Sequence, residues 1–111
     1  MELSETIVDG VPVLSVSGRL DSQKSADFKK GLAQYLTGHP RKLILDMGGV
    51  PYISSAGLRE LFLAARELQR GGGKLVVCNP QPDVKHVFDI AGFAICYQIV
   101  GSREEALAAK D

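Results

Sequence analysis

Two short and almost wholly apolar runs, separated by a helical pattern, constrain the fold of this chain most strongly. Residues 42–47 read KLILDM, and residues 74–78 read KLVVC. Continuous apolar runs of this length are typical of strands that are buried on both faces of a parallel sheet. Because strands that alternate with helices are joined by parallel crossovers, the sequence predicts a layered α/β fold.

The N-terminal segment predicts an antiparallel hairpin. Residues 3–9 and 11–17 are two strand-like runs joined at Asp9-Gly10, a dipeptide that favours a tight turn. Pro12 has no N–H to donate, so the second strand should begin after it or point this position outward. Alternation along that strand predicts two faces, one with Val11 and Val13 and the other with Leu14 and Val16.

The remaining elements follow from helical spacing and from the positions of glycine and proline. Asp21 or Ser22 offers an N-cap for a helix that runs to about Leu36, and Gly48-Gly49 should end the central strand. The other predicted elements are a helix from the serine pair to the glycines at 71–73, a helix from about Pro82 to Gly92, a strand at about 95–100 and a terminal helix opened by a capping box from Ser102 to Glu105. The order ββαβαβαβα predicts one domain over residues 1–111, with a mixed sheet (N-terminal antiparallel hairpin, then parallel strands) packed with about four α-helices.

Charge and hydropathy limit the classes of function. Thirteen basic residues balance thirteen acidic ones, which argues against a nucleic-acid surface. No apolar run approaches the roughly 20 residues that span a bilayer. The N-terminal residues MELSE lack the basic region and apolar core of a signal peptide. The sequence therefore predicts a cytoplasmic protein with no membrane insertion and no nucleic-acid partner.

Cysteines, histidines and glycines indicate no metal or cofactor site. Cys78 and Cys96 both lie in apolar runs, without a CxxC pair, and are interpreted as buried free thiols. His39, in a turn, and His86, in a helical pattern, are interpreted as surface residues. The glycines at 71–73 lack the lysine and Ser/Thr of a phosphate-binding loop and are better explained as a helix stop.

The serine pair Ser54-Ser55 is the place where chemistry is most expected. It stands between a strand-like run and an amphipathic helix, where backbone N–H groups and the helix dipole favour an anion. The purely structural interpretation is that both serines only cap the helix. Ala56 and Gly57 follow, and their small size suggests a backbone open to approach by another molecule.

Enzymatic patterns are incomplete. A nucleophile elbow needs glycine on both sides of its serine, and Ser55 has Ile53 two residues before it and Gly57 two residues after it. Nothing in the sequence ties either histidine to Ser55, and Asp21 and Asp46 are separated carboxylates without a partner pattern. The sequence predicts that the protein is not an enzyme.

Residues 52–59, YISSAGLR, closely resemble the phosphorylation segment of STAS domains, specifically of bacterial anti-sigma factor antagonists. Supporting matches, in the same order along nearly the whole chain, are GRLD at 18–21, LILD at 43–46, GGKL at 72–75 and VFDIAGF at 87–93. The resemblance implies the same mixed sheet with helices that the patterns predict. It also implies a protein that binds an anti-sigma factor, itself a serine kinase, and so frees a sigma factor. Phosphorylation of one serine would block this binding, and a PP2C-type phosphatase would reverse it.

The resemblance also implies site residues, none of them catalytic or metal-binding. By position the phosphoacceptor is Ser55, with Ser54 less favoured. The residue before the acceptor is often aspartate in the family, and here it is Ser54; the residue after it is often serine, and here it is Ala56. The implied partner-binding residues are Asp21, Ser54, Ser55, Ala56, Gly57, Leu58 and Arg59.

Two other hypotheses compete with this one. The second hypothesis, within the same fold, is a STAS subunit that scaffolds a transporter or a sensory complex without being phosphorylated; the retained Ser55 argues weakly against it. A serine hydrolase is the third hypothesis, disfavoured by the incomplete elbow. Incubation with ATP and a kinase separates the first two, and a fluorophosphonate probe tests the third.

Overall fold

The computed structural model of the protein describes residues 1–38, 40–92 and 98–109. One mixed sheet contains five strands in the spatial order β1-β2-β3-β4-β5. Only β1 and β2 are antiparallel, and each later pair is parallel. The strands are β1 Glu2–Val8, β2 Val11–Ser17, β3 Lys42–Gly49, β4 Lys74–Cys78 and β5 Gln98–Val100; the helices are α1 Ser25–Leu36, α2 Ser55–Arg70, α3 Pro82–Ala91 and α4 Arg103–Ala108. This arrangement confirms the predicted element order and the single α/β domain.

The hairpin turn has the geometry that its sequence predicts. Asp9 and Gly10 both adopt positive φ, 52° and 79°, which is the requirement of a two-residue turn that matches the twist of paired strands. Pro12 lies within β2, opposite Ile7 of the edge strand β1, so the strand does not begin after it.

Helices cover the two faces of the sheet unequally. The larger core packs α1, α2 and α3 on one face, where Leu14, Leu45 and Val77 of three neighbouring strands are buried. The opposite face carries Val13 and Ile44, which pack against α4. The central strands are therefore buried on both faces, which explains why their sequences are continuous apolar runs.

A buried lysine anchors the short helix α4 to the sheet. Lys42, only 5% exposed, begins the central strand β3, and its Nζ donates hydrogen bonds to the carbonyl oxygens of Leu107 (3.1 Å) and Ala109 (2.7 Å). These carbonyls lie at the C-terminal end of α4, where backbone acceptors have no partner within the helix and a cation is favourable. Lys42 thus stabilises the contact between the terminal helix and the sheet.

Two predicted boundaries are wrong. The N-cap of helix α1 is Lys24, and not Asp21 or Ser22 as predicted, so the helix begins at Ser25. The Asp21 carboxylate instead accepts the N–H groups of Gln23 and Lys24 and stabilises a separate turn before the helix. Strand β3 continues through the glycine pair to Gly49, because the carbonyl of Gly49 accepts the N–H of Gly18 from the neighbouring chain segment.

Three further local predictions, at Gly92, Ser102 and His86, are confirmed. Gly92 ends α3 in the left-handed conformation with a φ of 69°, and the Ser102 hydroxyl accepts the N–H of Glu105 at the start of α4. His86 is exposed on α3. His39, Cys96 and the 95–97 part of the last predicted strand lie outside the described residues.

Cys78, at the end of β4, is a fully buried free thiol, as predicted. Burial raises its pKa to about 12, and repulsion from the Asp46 carboxylate contributes further in the same direction. The native state therefore retains the thiol proton at a pH where the unfolded chain, with a pKa of 9.0, has released it.

Native stability should consequently fall as the pH rises from about 9 to 12. In this window the unfolded state binds fewer protons than the native state, so Cys78 lowers the free energy of unfolding by about 1.4 kcal/mol for each pH unit. Urea unfolding at a series of pH values measures this slope. The Cys78→Ala variant is the control, since it retains every other titrating group, including Tyr35, whose pKa is also raised by burial. Identical slopes in the two proteins would contradict the assignment.

Candidate functional site

The serine segment, defined as residues 51–55, connects the end of β3 to the start of α2. It runs beside the turn that follows β2, where Leu20 and Ile53 form an isolated parallel bridge. The N–H of Leu20 donates to the carbonyl of Tyr52 at 2.9 Å, and the N–H of Ser54 donates to the carbonyl of Leu20 at 2.8 Å. The GRLD and YISSAGLR motifs are thus brought together at the carboxyl ends of two parallel strands.

The two serines have different roles. Ser54 is the N-cap of α2: its backbone is extended, and its hydroxyl accepts the N–H of Gly57 at 3.1 Å. Ser55 is the first residue of the helix and is exposed, and its hydroxyl has no hydrogen bond among the described residues. The capping interpretation therefore holds for Ser54 and leaves the hydroxyl of Ser55 available to another molecule.

Replacement of each serine by alanine should separate these roles. Ser54→Ala removes the cap of α2 and should lower the free energy of unfolding by about 1 kcal/mol. Ser55→Ala removes an exposed hydroxyl, so its free energy of unfolding should lie within about 0.5 kcal/mol of the wild-type value. Urea denaturation of both variants measures the difference, and a larger loss in Ser55→Ala than in Ser54→Ala would contradict the assignment of the cap.

Gly57 lies at a close approach between α2 and the bridge beneath it. A Cβ atom at this position would lie 3.0 Å from Cγ1 of Ile53 and 3.2 Å from the carbonyl oxygen of Leu20. The residue is buried, so the expectation that its backbone is open to a partner is wrong. The reason for the glycine is internal packing.

The other residues implied by the resemblance surround the exposed serine. Ala56 and Asp21 are half-buried, and Arg59 is exposed one helical turn after Ser55. Leu58 is 8% exposed and belongs to the core. Of the residues implied to bind a partner, the accessible ones are therefore Asp21, Ser54, Ser55, Ala56 and Arg59, whereas Gly57 and Leu58 are buried beneath them.

Sequence reasoning missed one pair at the rim of this site. The guanidinium of Arg19 stacks on the ring of Tyr52, with its Cζ 4.4 Å from the ring centroid, and the Tyr52 side chain remains 40% exposed. Stacking of this kind is favourable by about 0.5–1 kcal/mol at an exposed position. The residues stand in the two motifs that the resemblance singled out, but only the bridge between Leu20 and Ile53 makes them neighbours.

No histidine within the described ranges forms a hydrogen bond with Ser55. The described residues contain no group of three or more His, Cys, Asp or Glu side chains that could hold a metal ion. Within the same ranges, no helix combines the length and the apolar character needed to cross a membrane.

Several known proteins resemble this chain. The family pattern of the STAS domain matches residues 3–106. A protein of Bordetella bronchiseptica that is named as an anti-sigma factor antagonist, BtrV, is 37% identical over 109 residues, which cover 98% of this chain and 94% of that protein. This similarity extends over the serine segment and all elements described above.

Solved structures share the fold at lower sequence identity. An anti-sigma factor antagonist from Thermotoga maritima superposes with a TM-score of 0.89 at 22% identity, over 96% of this chain and 92% of that chain. The unphosphorylated form of the anti-sigma factor antagonist SpoIIAA superposes with a TM-score of 0.79 at 20% identity, over 96% and 93% of the two chains. SpoIIAA of Bacillus is also known in a phosphorylated form, which superposes with a TM-score of 0.72. The match along residues 3–106, the relative at 37% identity and the shared fold lead to one conclusion: this chain belongs to the STAS domain family.

Proposed function

We propose that this protein is an anti-sigma factor antagonist that works by binding and not by catalysis. In this proposal it binds, in the cytoplasm, an anti-sigma factor that is also a serine kinase, and so frees a sigma factor. Phosphorylation of Ser55 ends the association, and a PP2C-type phosphatase restores it. Its relative BtrV is named for the same activity, which supports the general role.

The observation that carries the proposal is the difference between the two serine hydroxyls. Ser54 uses its hydroxyl oxygen within the cap of α2, whereas Ser55 is exposed and uncommitted among the described residues. A kinase can therefore reach Ser55 without opening the helix. The phosphorylated form of SpoIIAA, a protein of the same fold, supports the view that this architecture accommodates a phosphate.

The electrostatic surroundings of Ser55 favour an anion on this residue. It stands at the positive end of the 16-residue helix α2, where a negative group is favoured by about 0.3–1 kcal/mol at an exposed position. Arg59, exposed one turn along the helix, adds a cation on the same end of α2. A phosphate on Ser55 should therefore be compatible with the folded state.

The test is to incubate the protein with ATP and an anti-sigma factor of the serine-kinase class from the same organism, and to map the phosphate by mass spectrometry. Phosphate is expected on Ser55, with Ser55→Ala unmodified and Ser54→Ala still modified. Phosphate found chiefly on Ser54 would defeat the assignment of the acceptor. If no kinase of this class binds or modifies the wild-type protein, the unphosphorylated scaffold becomes the better hypothesis.

A further inference from the structure

A partly buried ion pair joins helix α4 to the end of the central strand β3, on the sheet face opposite to α1. Arg103 Nε donates to Asp46 Oδ2 at 2.6 Å, and a terminal nitrogen of the same guanidinium donates to the hydroxyl of Ser15. The Asp46 side chain is only 15% exposed. Two directed hydrogen bonds from one rigid guanidinium hold the carboxylate of Asp46 and the neighbouring strand β2 in a defined geometry.

The second oxygen of this carboxylate holds the end of β3. Oδ1 of Asp46 accepts the N–H of Gly48 at 3.0 Å and lies 3.5 Å from the side-chain nitrogen of Asn79. The carbonyl of Gly48 accepts a hydrogen bond from Nε2 of Gln81 at 2.9 Å. A Cβ atom on Gly48 would collide with the Asn79 amide, so the strand end is closely surrounded by these groups.

Hydrogen bonds continue from this strand end to the serine segment. The N–H of Val50 donates to the carbonyl of Met47 at 3.0 Å, and Gly49 is bonded to Gly18. The next residues pair with Leu20, as described above. Because two successive glycines restrict the backbone little, their hydrogen-bonding partners set the direction in which the chain leaves β3.

We propose that Arg103 is a positioning residue for the serine segment. It holds the Asp46 carboxylate in one orientation, the carboxylate holds the amide of Gly48, and the strand end then places residues 51–55 against Leu20. The terminal helix α4, on the opposite face from α1, thereby affects the surface around Ser55. The consequence for partner binding rests on the proposed function, whereas the positioning itself does not.

Amide hydrogen exchange followed by NMR tests the positioning without any partner. In Arg103→Gln the amides of Gly48, Val50 and Ser54 should exchange about tenfold faster, which is the factor expected when one charge-assisted hydrogen bond is lost. Lys42→Met is the matched control, since it releases the other end of α4 and leaves Asp46 untouched. In this control the three amides should retain wild-type rates once the change in global stability is subtracted. Equal acceleration in both variants, or in neither, would overturn the proposal.

A double-mutant cycle shows whether Arg103 acts through Asp46. The effect of Arg103→Gln on the three amides should disappear in an Asp46→Asn background, and additive effects would overturn the proposed route. We also expect Arg103→Gln to lower the affinity for the anti-sigma partner, because without the guanidinium residues 51–55 are displaced in the folded state itself. A tenfold rise in a rare opening alone would leave the binding-competent population, and therefore the affinity, almost unchanged. Unchanged affinity with faster exchange would overturn the link to binding. A wild-type protein that binds no anti-sigma factor would count against the proposed function, and the exchange rates would still decide the positioning.

Discussion

Ser55→Asp is expected to lower the affinity for the anti-sigma partner more than a hundredfold while the domain remains folded. A phosphate adds about −1.5 to −2 charges at neutral pH, and aspartate mimics it with one charge. At the start of α2 this charge is locally favourable, so the melting temperature should stay level or rise slightly. Within a close interface, however, the same charge must lose its water and is repelled by any carboxylate of the partner. A penalty of about 3 kcal/mol corresponds to more than a hundredfold in affinity.

The matched controls for this substitution are Ser55→Asn and Ser55→Ala. Asparagine has the shape of aspartate without its charge, so its affinity reports the steric part of the effect. Alanine should bind constitutively, because it cannot be phosphorylated. Titration of the three variants against the partner, with circular dichroism as the folding control, gives the answer. The mechanism is wrong if Ser55→Asp binds as tightly as Ser55→Asn, or loses binding only because it unfolds.

Gly57→Leu is expected to destabilise the domain by about 3 kcal/mol or more, through overpacking between α2 and the bridge below it. The Leu20 carbonyl that a side chain would meet is already fixed by the N–H of Ser54 at 2.8 Å. Ile53, the other neighbour, is 4% exposed and belongs to the core. A leucine side chain at position 57 would therefore press against a hydrogen-bonded backbone oxygen and a packed core residue.

Gly57→Ala should also be destabilising, by about 1 kcal/mol, although alanine gains about 1 kcal/mol of helix propensity over glycine. The propensity argument alone predicts the opposite sign. Gly38→Ala, in a turn after α1, is the control for a methyl group added in open space, since the nearest atom to its Cβ beyond its chain neighbours is 4.0 Å away. Urea denaturation compares the three variants. A Gly57→Ala protein more stable than the wild type would contradict this prediction. It would show that Leu20 and Ile53 can shift enough to accommodate the methyl group.

The local sequence determined most elements of this fold, because the signals for them act over a few residues. The apolar run at 74–78, the Asp9-Gly10 turn and the capping serine at 102 each specify an element through burial, positive φ or a hydrogen bond to a nearby N–H. The resemblance carried by residues 52–59 likewise located the serine pair and indicated the family.

Tertiary structure alone decided which groups meet across the sheet. Lys42 appears in the sequence as the polar start of an apolar strand, yet it is buried because α4 presents two carbonyl groups to it. No sequence motif near Asp46 indicated its cationic partner, because Arg103 is 57 residues away along the chain. The small size of Gly57 suggested a backbone exposed to a partner, whereas the packing of Leu20 against α2 buries this residue. Contacts of this kind depend on how strands and helices stack, and no periodicity within a single segment records them.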